Sequence, residues 1–477
     1  MPTNRPNIIF FFTDDQRFDM LSGLRHPTVR TPHLDSLMKR GVTFTEAHIP
    51  GGLDAAICMP SRAMLHTGRT LFHLHDKGRS VPSSHHLMGE ELKKAGYRCF
   101  GSGKWHNGPQ AFNRSFDAGT DIFFGGMNDH WNVPCFDYDP TGAYADVIRV
   151  TDNWFYSNKT WTFPGNKTTP GKHSSELIAD AGIRFLREKS DDAPHFMYLS
   201  FLAPHDPRTM PEEYRRMYDP EAIELPGNFM QEHPFDFGIN QVRDKLLSPR
   251  PLREADIRRH IAEYYAMITH LDAQIGRVIA EVEARGEIDD TLFIMAGDNG
   301  LAVGQHGLLG KQNSYEHSIR VPLILAGPGI VADARCDKFV YLLDIFPTLC
   351  DYLEIATPES VDGVSFRDRL GGSAGDSPRG GRDEIYFAYT ELIRTIKDRQ
   401  FKLIEYQRDG VRRTQLFDYR RDPEERRNLF GLREHDERVA GMRERLRQTA
   451  VAWDDEDEEM GRTFWTGFSS GGGSLNG

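Results

Sequence analysis

The chain has no apolar run approaching the roughly 20 residues of a membrane-spanning helix, so no transmembrane segment is expected among its 477 residues. Residues 1–6 run into the apolar stretch 8–12 too briefly for a signal peptide. As written the chain carries no export address. It reads either as cytoplasmic or as the mature form of a periplasmic or secreted protein whose leader was removed. Positive charge is in deficit, with 58 Lys and Arg against 70 Asp and Glu and a net charge of −12. That balance argues against nucleic acid or an anionic membrane surface as partner, and an anionic ligand would need a local basic pocket. Cysteine is scarce: Cys58, Cys99, Cys135, Cys336 and Cys350 are widely scattered, and no C-x-x-C pair occurs. Zinc knuckles, redox motifs and a disulfide scaffold are thereby disfavoured. Four of the five read as buried or indifferent thiols. No internal repeat is present.

What the chain does have is core material, 39% apolar and 11% aromatic residues, at a length that favours one large domain and a smaller one. The unbroken apolar run at 8–12 predicts a fully buried strand ending in Asp14-Asp15. Residues 195–202 repeat the pattern before Pro204-His205-Asp206, and 291–296 repeat it before Asp298-Asn299-Gly300. In open parallel sheets ligands bind outside the carboxyl ends of the strands, so three strands should deliver polar groups to one rim. Apolar spacing predicts helices over 174–189 and 256–284, and the alternation of strand with helix predicts a mainly parallel sheet covered on both faces. Composition shifts to Gly, Ser, Asp and Pro at 370–382, which divides the chain into a large α/β domain, 1–370, and a smaller α+β unit, 371–477. Short strands are expected at 384–389, 393–397, 401–406 and 415–419, a helix at 434–453 and a flexible tail at 469–477.

Cys58-Met59-Pro60-Ser61-Arg62, followed by Thr67-Gly68-Arg69, resembles the C-x-P-S-R and T-G-R signature of the formylglycine-dependent (type I) sulfatases. That family belongs to the alkaline phosphatase superfamily, and Thr13-Asp14-Asp15-Gln16-Arg17 is similar to the opening of bacterial glycan sulfatases. The resemblance implies that a separate maturation enzyme oxidises Cys58 to formylglycine, reading Cys58, Pro60 and Arg62. The hydrated aldehyde would supply two hydroxyls, one attacking sulfur and the other later expelling sulfate, where a serine would stop at a stable ester. Met59 replaces the commoner Ser or Thr at a variable position.

Asp14-Asp15 and Asp298-Asn299 match the family's two metal-binding pairs. Alone, such pairs are usually turn chemistry; at strand ends, with Cys58 between them in sequence, they favour a metal. Three carboxylates and an amide oxygen, joined by the residue-58 nucleophile, are the hard donors Ca²⁺ prefers, with Mg²⁺ geometrically more demanding. Gly103-Lys104-Trp105-His106 resembles the family's G-K-W-H element, implying that Lys104 binds an anionic oxygen. His106 would take a proton from the second hydroxyl. His205 and Lys311 match the remaining sulfate-binding pair near the bridging ester oxygen, with His205 as general acid. His306, His85 and His86 stay outside this set.

The resemblance spans most of the chain and implies an alkaline-phosphatase-like fold with a small C-terminal antiparallel sheet and a helix. The expected reaction is hydrolysis of a sulfate monoester carried on a carbohydrate. Two rivals remain: a formylglycine-dependent phosphonate or phosphate ester hydrolase, and a noncatalytic anion binder in which Cys58 stays a thiol. Substrate choice is expected to lie in loops 76–86, 107–161 and 207–253. There Phe123, Phe124, Trp131, Tyr138 and Trp154 either stack on sugar faces or pack the loops.

Overall fold

Strand β1 (Asn7–Thr13) is buried on both faces, which is why its apolar run does not alternate. In this computed structural model, which describes residues 5–151, 155–189, 193–371, 381–470 and 475–476, β1 is central to a nine-stranded sheet. The other strands are β2 (Gly41–His48), β3 (Arg98–Lys104), β4 (Ala118–Phe123), β5 (His195–Ser200), β6 (Thr291–Gly297), β7 (Arg320–Ala326), β8 (Ala334–Cys336) and β9 (Val340–Tyr341). Their order is β8-β2-β7-β6-β1-β5-β3-β4, with β9 also on β2. All pairings are parallel except those of β7, which runs against both β2 and β6.

Ile9 and Phe11 face one apolar layer built with α1 (Pro32–Arg40), α3 (Ser174–Glu188) and α4 (Glu254–Ala284). Ile8, Phe10 and Phe12 face the other, which includes Leu65 of α2 (Cys58–Thr67) and Phe346 of α5 (Ile345–Tyr352). The predicted layering is therefore present. Because β6, β1, β5 and β3 are neighbours and parallel, the residues after each strand meet at one edge.

The second sheet contains β10 (Ile385–Tyr389), β11 (Ile393–Lys397), β12 (Phe401–Arg408) and β13 (Val411–Asp418), antiparallel in sequence order. The last of these starts earlier than the expected 415, because backbone pairing from Arg408↔Val411 recruits Val411 and the polar residues 412–414. Asp409 and Gly410, both at positive φ (49° and 77°), make the tight turn. Helix α6 (Asp436–Ala452) covers the sheet, preceded by a 3₁₀ turn, Arg433–His435.

The tail departs from expectation. Ser469 and Ser470 end a helix, Glu459–Ser470, and Leu475–Asn476 adds to β13 in parallel; the other tail residues lie outside the described set. So do residues 372–380 of the compositional boundary. The sheets are coupled just before Cys58, where Gly51–Gly52 pairs in parallel with β10. They are coupled again by buried Glu316, whose carboxylate meets Lys397 (2.9 Å) and Lys402 (2.7 Å).

Candidate active site

Cys58 opens α2, a helix buried on every side, and its Sγ lies 3.6 Å from both Lys104 Nζ and His106 Nδ1. A helix N-terminus favours negative charge at this position. Burial pushes the thiol up, against the pull of Lys104 and Lys311, so as cysteine the side chain is neutral. Lys104 reaches this point because β3 approaches β5 very closely. Gly103, at φ 88°, would bring a Cβ to 1.9 Å from the Ser200 carbonyl oxygen, so only glycine fits.

Asp14 and Asp15 leave the end of β1, with Asp15 in the left-handed region at φ 64°. Tyr264 of α4 holds that turn, donating its hydroxyl to the Asp15 carbonyl (2.7 Å) and accepting the Arg17 N–H (3.0 Å). Asp298, after β6, accepts the Asp15 N–H on Oδ1 (3.0 Å) and Arg62 Nε on Oδ2 (3.0 Å), while its carbonyl accepts Ser61 Oγ (2.6 Å). Asn299 Nδ2 donates to Asp15 Oδ1 (2.6 Å), which also receives Lys311 Nζ (2.5 Å). Lys104 Nζ contacts Asp14 Oδ2. The sequence-predicted residues are thus linked in one network of contacts that includes Cys58, with His205 joining through Asp15.

Their charges are strongly coupled. Burial opposes ionisation of Asp14, but Lys104, His205, Arg62 and Lys311 outweigh it and hold the carboxyl well below the usual carboxylate range. Asp298 goes the other way, raised to about 7 by burial and by the charge of Asp14. Burial disfavours the Lys311 ammonium, yet Asp15 and its neighbours hold its proton well above the ordinary lysine range.

Among the described residues, two oxygens here are buried without a hydrogen-bond partner: Asp14 Oδ1 and Asn299 Oδ1. Orphaned acceptors of this kind cost about 1–3 kcal/mol each. Donor atoms of Asp14, Cys58 and Asp298 lie within 4.8 Å of one another, as do those of Asp14, Asp15 and His205. Hard, buried, under-satisfied oxygens crowded by like charge fit a divalent cation of the calcium or magnesium type.

The histidines differ. His106, at φ 72°, is pushed well below its ordinary value by burial, then by Lys104 and Arg62, and so stands as a neutral imidazole beside Sγ. His205 Nδ1 lies 2.7 Å from the Asp206 carbonyl oxygen, which can only accept, so Nδ1 carries a proton. Its Nε2 faces Asp15 Oδ2 at 3.6 Å, and donation from Nε2 requires the imidazolium. Arg62 is fully buried; its NH1 donates to the Lys104 carbonyl (2.9 Å) and Ser200 Oγ (2.6 Å), so it braces the carboxylates from beneath.

Sequence reasoning missed the supports. His130 holds the His205 carbonyl (2.9 Å) and Ser174 Oγ (2.7 Å), and Arg243 contacts Asp206. A lone His130 far from any motif gives no signal, whereas Asp206 could have been flagged as the neighbour of His205. Trp105, Phe123 and Tyr138 pack the fold: Trp105 and Phe123 are buried, and the Tyr138 hydroxyl donates to the Phe116 carbonyl. Phe124 packs against the core and Trp131 against His173, so the loop-packing reading holds for these aromatics; Trp154 lies outside the described residues. His306 stacks on Tyr315 at 3.8 Å.

A sequence model of the family described as Sulfatase matches residues 6–355. Another, described as N-sulphoglucosamine sulphohydrolase, C-terminal, matches residues 304–452. An arylsulfatase of Clostridium perfringens (strain 13 / Type A) is 27% identical over 403 residues, 77% of this chain and 78% of that protein. The fold is similar to that of BT4656, solved in complex with its substrate D-glucosamine-2-N,6-O-disulfate, with TM-score 0.77 and 22% identity over 95% of this chain and 99% of that one. It is also similar to the phosphonate monoester hydrolase of Agrobacterium radiobacter, with TM-score 0.74 and 22% identity over 94% and 96%. These neighbours share the mainly parallel, helix-flanked sheet of alkaline-phosphatase-like enzymes. With the first family matched over most of its length, this chain belongs to the sulfatase family and is a sulfuric ester hydrolase.

Proposed function

We propose that this sulfatase removes O-sulfate from a carbohydrate, using a formylglycine made from Cys58 by a maturation enzyme and one calcium ion held by Asp14, Asp15, Asp298, Asn299 and residue 58. The observation that carries this reading is the convergence on Cys58 Sγ of Lys104 and His106, each 3.6 Å away, above a buried oxygen cluster with unpartnered acceptors. The thiol stands where the hydroxyls of the modified residue act. The cation, when bound, supplies positive charge against the sulfate oxygens and lowers the proton affinity of the nucleophile.

The chain's own residues divide the remaining work. Lys104 and Lys311 present ammonium groups to sulfate; His205, as imidazolium, donates from Nε2 to the departing alcohol oxygen. His106 Nδ1 takes the proton that lets sulfate leave residue 58. Arg62, Tyr264 and His130 hold these groups in place.

Carbohydrate is favoured by the opening Thr13–Arg17 pattern, and the relatives named above include a glucosamine disulfate complex. The division into a catalytic unit, 1–370, and a C-terminal unit, 371–477, belongs to the same proposal. The likeness to a phosphonate monoester hydrolase supports a second reading, phosphonate or phosphate ester hydrolysis. Turnover of defined sulfated mono- and disaccharides, beside aryl sulfate, phosphate and phosphonate esters, tests both. Sugar desulfation is the expected result, and turnover confined to phosphorus esters would overturn it.

A further inference from the structure

Two cationic side chains that form no ion pair among the described residues share a cleft next to the site. Lys245 and Arg250 line a cavity of ≈ 480 Å³ together with His233 and Phe235. Lys245 Nζ donates to Asn240 Oδ1 (2.6 Å), and among the described residues neither cation forms an ion pair. Arg250 NH1 contacts the Gly307 carbonyl, while its buried Nε and NH2 have no hydrogen-bond partner among the described residues. Two acids also line the cleft: Asp236 is taken by Arg408 (2.5 Å), and Glu232 acts on both cations at longer range without an ion pair to either among the described residues. Burial, then the charge of Arg250, holds Lys245 down to about 8, with Asp236 and Glu232 offsetting this only in part.

Partly burying such a pair of like charges side by side is costly unless a ligand supplies an anion. Its position says which ligand. Lys245 lies on the turn Arg243–Leu247, where Arg243 contacts Asp206, next to His205. On the same turn Asp244 accepts Gln312 Nε2 (2.9 Å), next to Lys311. The cleft therefore adjoins the side from which the alcohol would depart. We propose that the Lys245–Arg250 cleft is an anion subsite, taking a further sulfate or carboxylate of a polyanionic glycan whose scissile sulfate sits at Cys58. This rests on the carbohydrate reading above.

The test is calorimetric titration of a heparin-derived sulfated tetrasaccharide into the unaltered chain and into Lys245→Glu, Lys245→Ala, Lys245→Arg and Arg250→Ala. Removing one charge-assisted contact should weaken binding about tenfold. Lys245→Glu should weaken it further, Lys245→Arg should retain it, and added salt should narrow the differences. Turnover of 4-nitrophenyl sulfate, too small to reach the cleft, should stay unchanged in the Lys245 variants. Failure of the unaltered chain to bind, or equal binding by Lys245→Glu, overturns the subsite. Loss of tetrasaccharide binding in Lys245→Glu supports it even if no sulfate ester is turned over, an outcome that would count only against the proposed reaction.

Discussion

The Asp15 N–H donates to Asp298 Oδ1 at 3.0 Å, joining the ends of adjacent parallel strands that lie 283 residues apart in sequence. The bond holds the Asp15 turn against Asp298, and although Arg62 beneath reaches Asp298 Oδ2 at 2.9 Å and Asp14 Oδ2 at 3.6 Å, Asp14 Oδ1 and Asn299 Oδ1 keep no hydrogen-bond partner among the described residues.

Chelation should therefore inactivate the protein, and calcium should restore it. Because a ligand that binds only the folded state raises stability by mass action, calcium should also raise the thermal midpoint of the unaltered chain. That rise should vanish in Asp14→Asn. Elemental analysis of active protein showing stoichiometric zinc and no calcium would count against the oxygen-donor assignment.

Cys58→Ala should lower 4-nitrophenyl sulfate turnover by about 10⁴-fold or more, since it deletes the precursor of the nucleophile. Alanine fits the buried start of α2 without added bulk, so circular dichroism should be unchanged. Near-normal turnover would remove Cys58 from the chemistry.

The two histidines should fail differently. His205→Ala should slow a sugar sulfate, with its poor leaving group, more than an activated aryl sulfate that needs little protonation. His106→Ala should instead trap sulfate on residue 58, visible by rapid-quench mass analysis. Equal slowing of both substrates by His205→Ala, with no trapped species in His106→Ala, would contradict this division of roles.

The strands carrying the site were legible because β1, β5 and β6 are buried on both faces, and an unbroken apolar run ending in polar residues has few other meanings. Cys58, Lys104, His106 and Lys311 were legible only through the family resemblance; nothing local distinguishes Lys311 from a surface lysine. His130 and Arg243 were not legible. They act through contacts between segments far apart in sequence, and no periodicity encodes such contacts. The early start of β13 was hidden because backbone pairing overrode side-chain pattern.

Glu316 couples the sheets electrostatically. Burial alone would raise it, but Lys397 and Lys402 hold it well below its ordinary value. A carboxylate lowered by folding adds stability above its unfolded value, about 4.5, and loses it as pH falls through the folded value. Glu316→Gln should thus cost about 3 kcal/mol at neutral pH and flatten the loss of stability below pH 4.5. Urea denaturation at several pH values measures both, and parallel acid limbs in the two proteins would assign the acid sensitivity elsewhere.

The account turns on Cys58 becoming an aldehyde, and mass analysis of the residue-58 peptide tests that most directly. The chain should be coproduced with a formylglycine-generating enzyme, and the peptide taken from a preparation that is actively hydrolysing a sulfate ester. An aldehyde at residue 58, in a fraction that tracks specific activity, is the predicted result. An intact Cys58 thiol throughout an equally active preparation would contradict it.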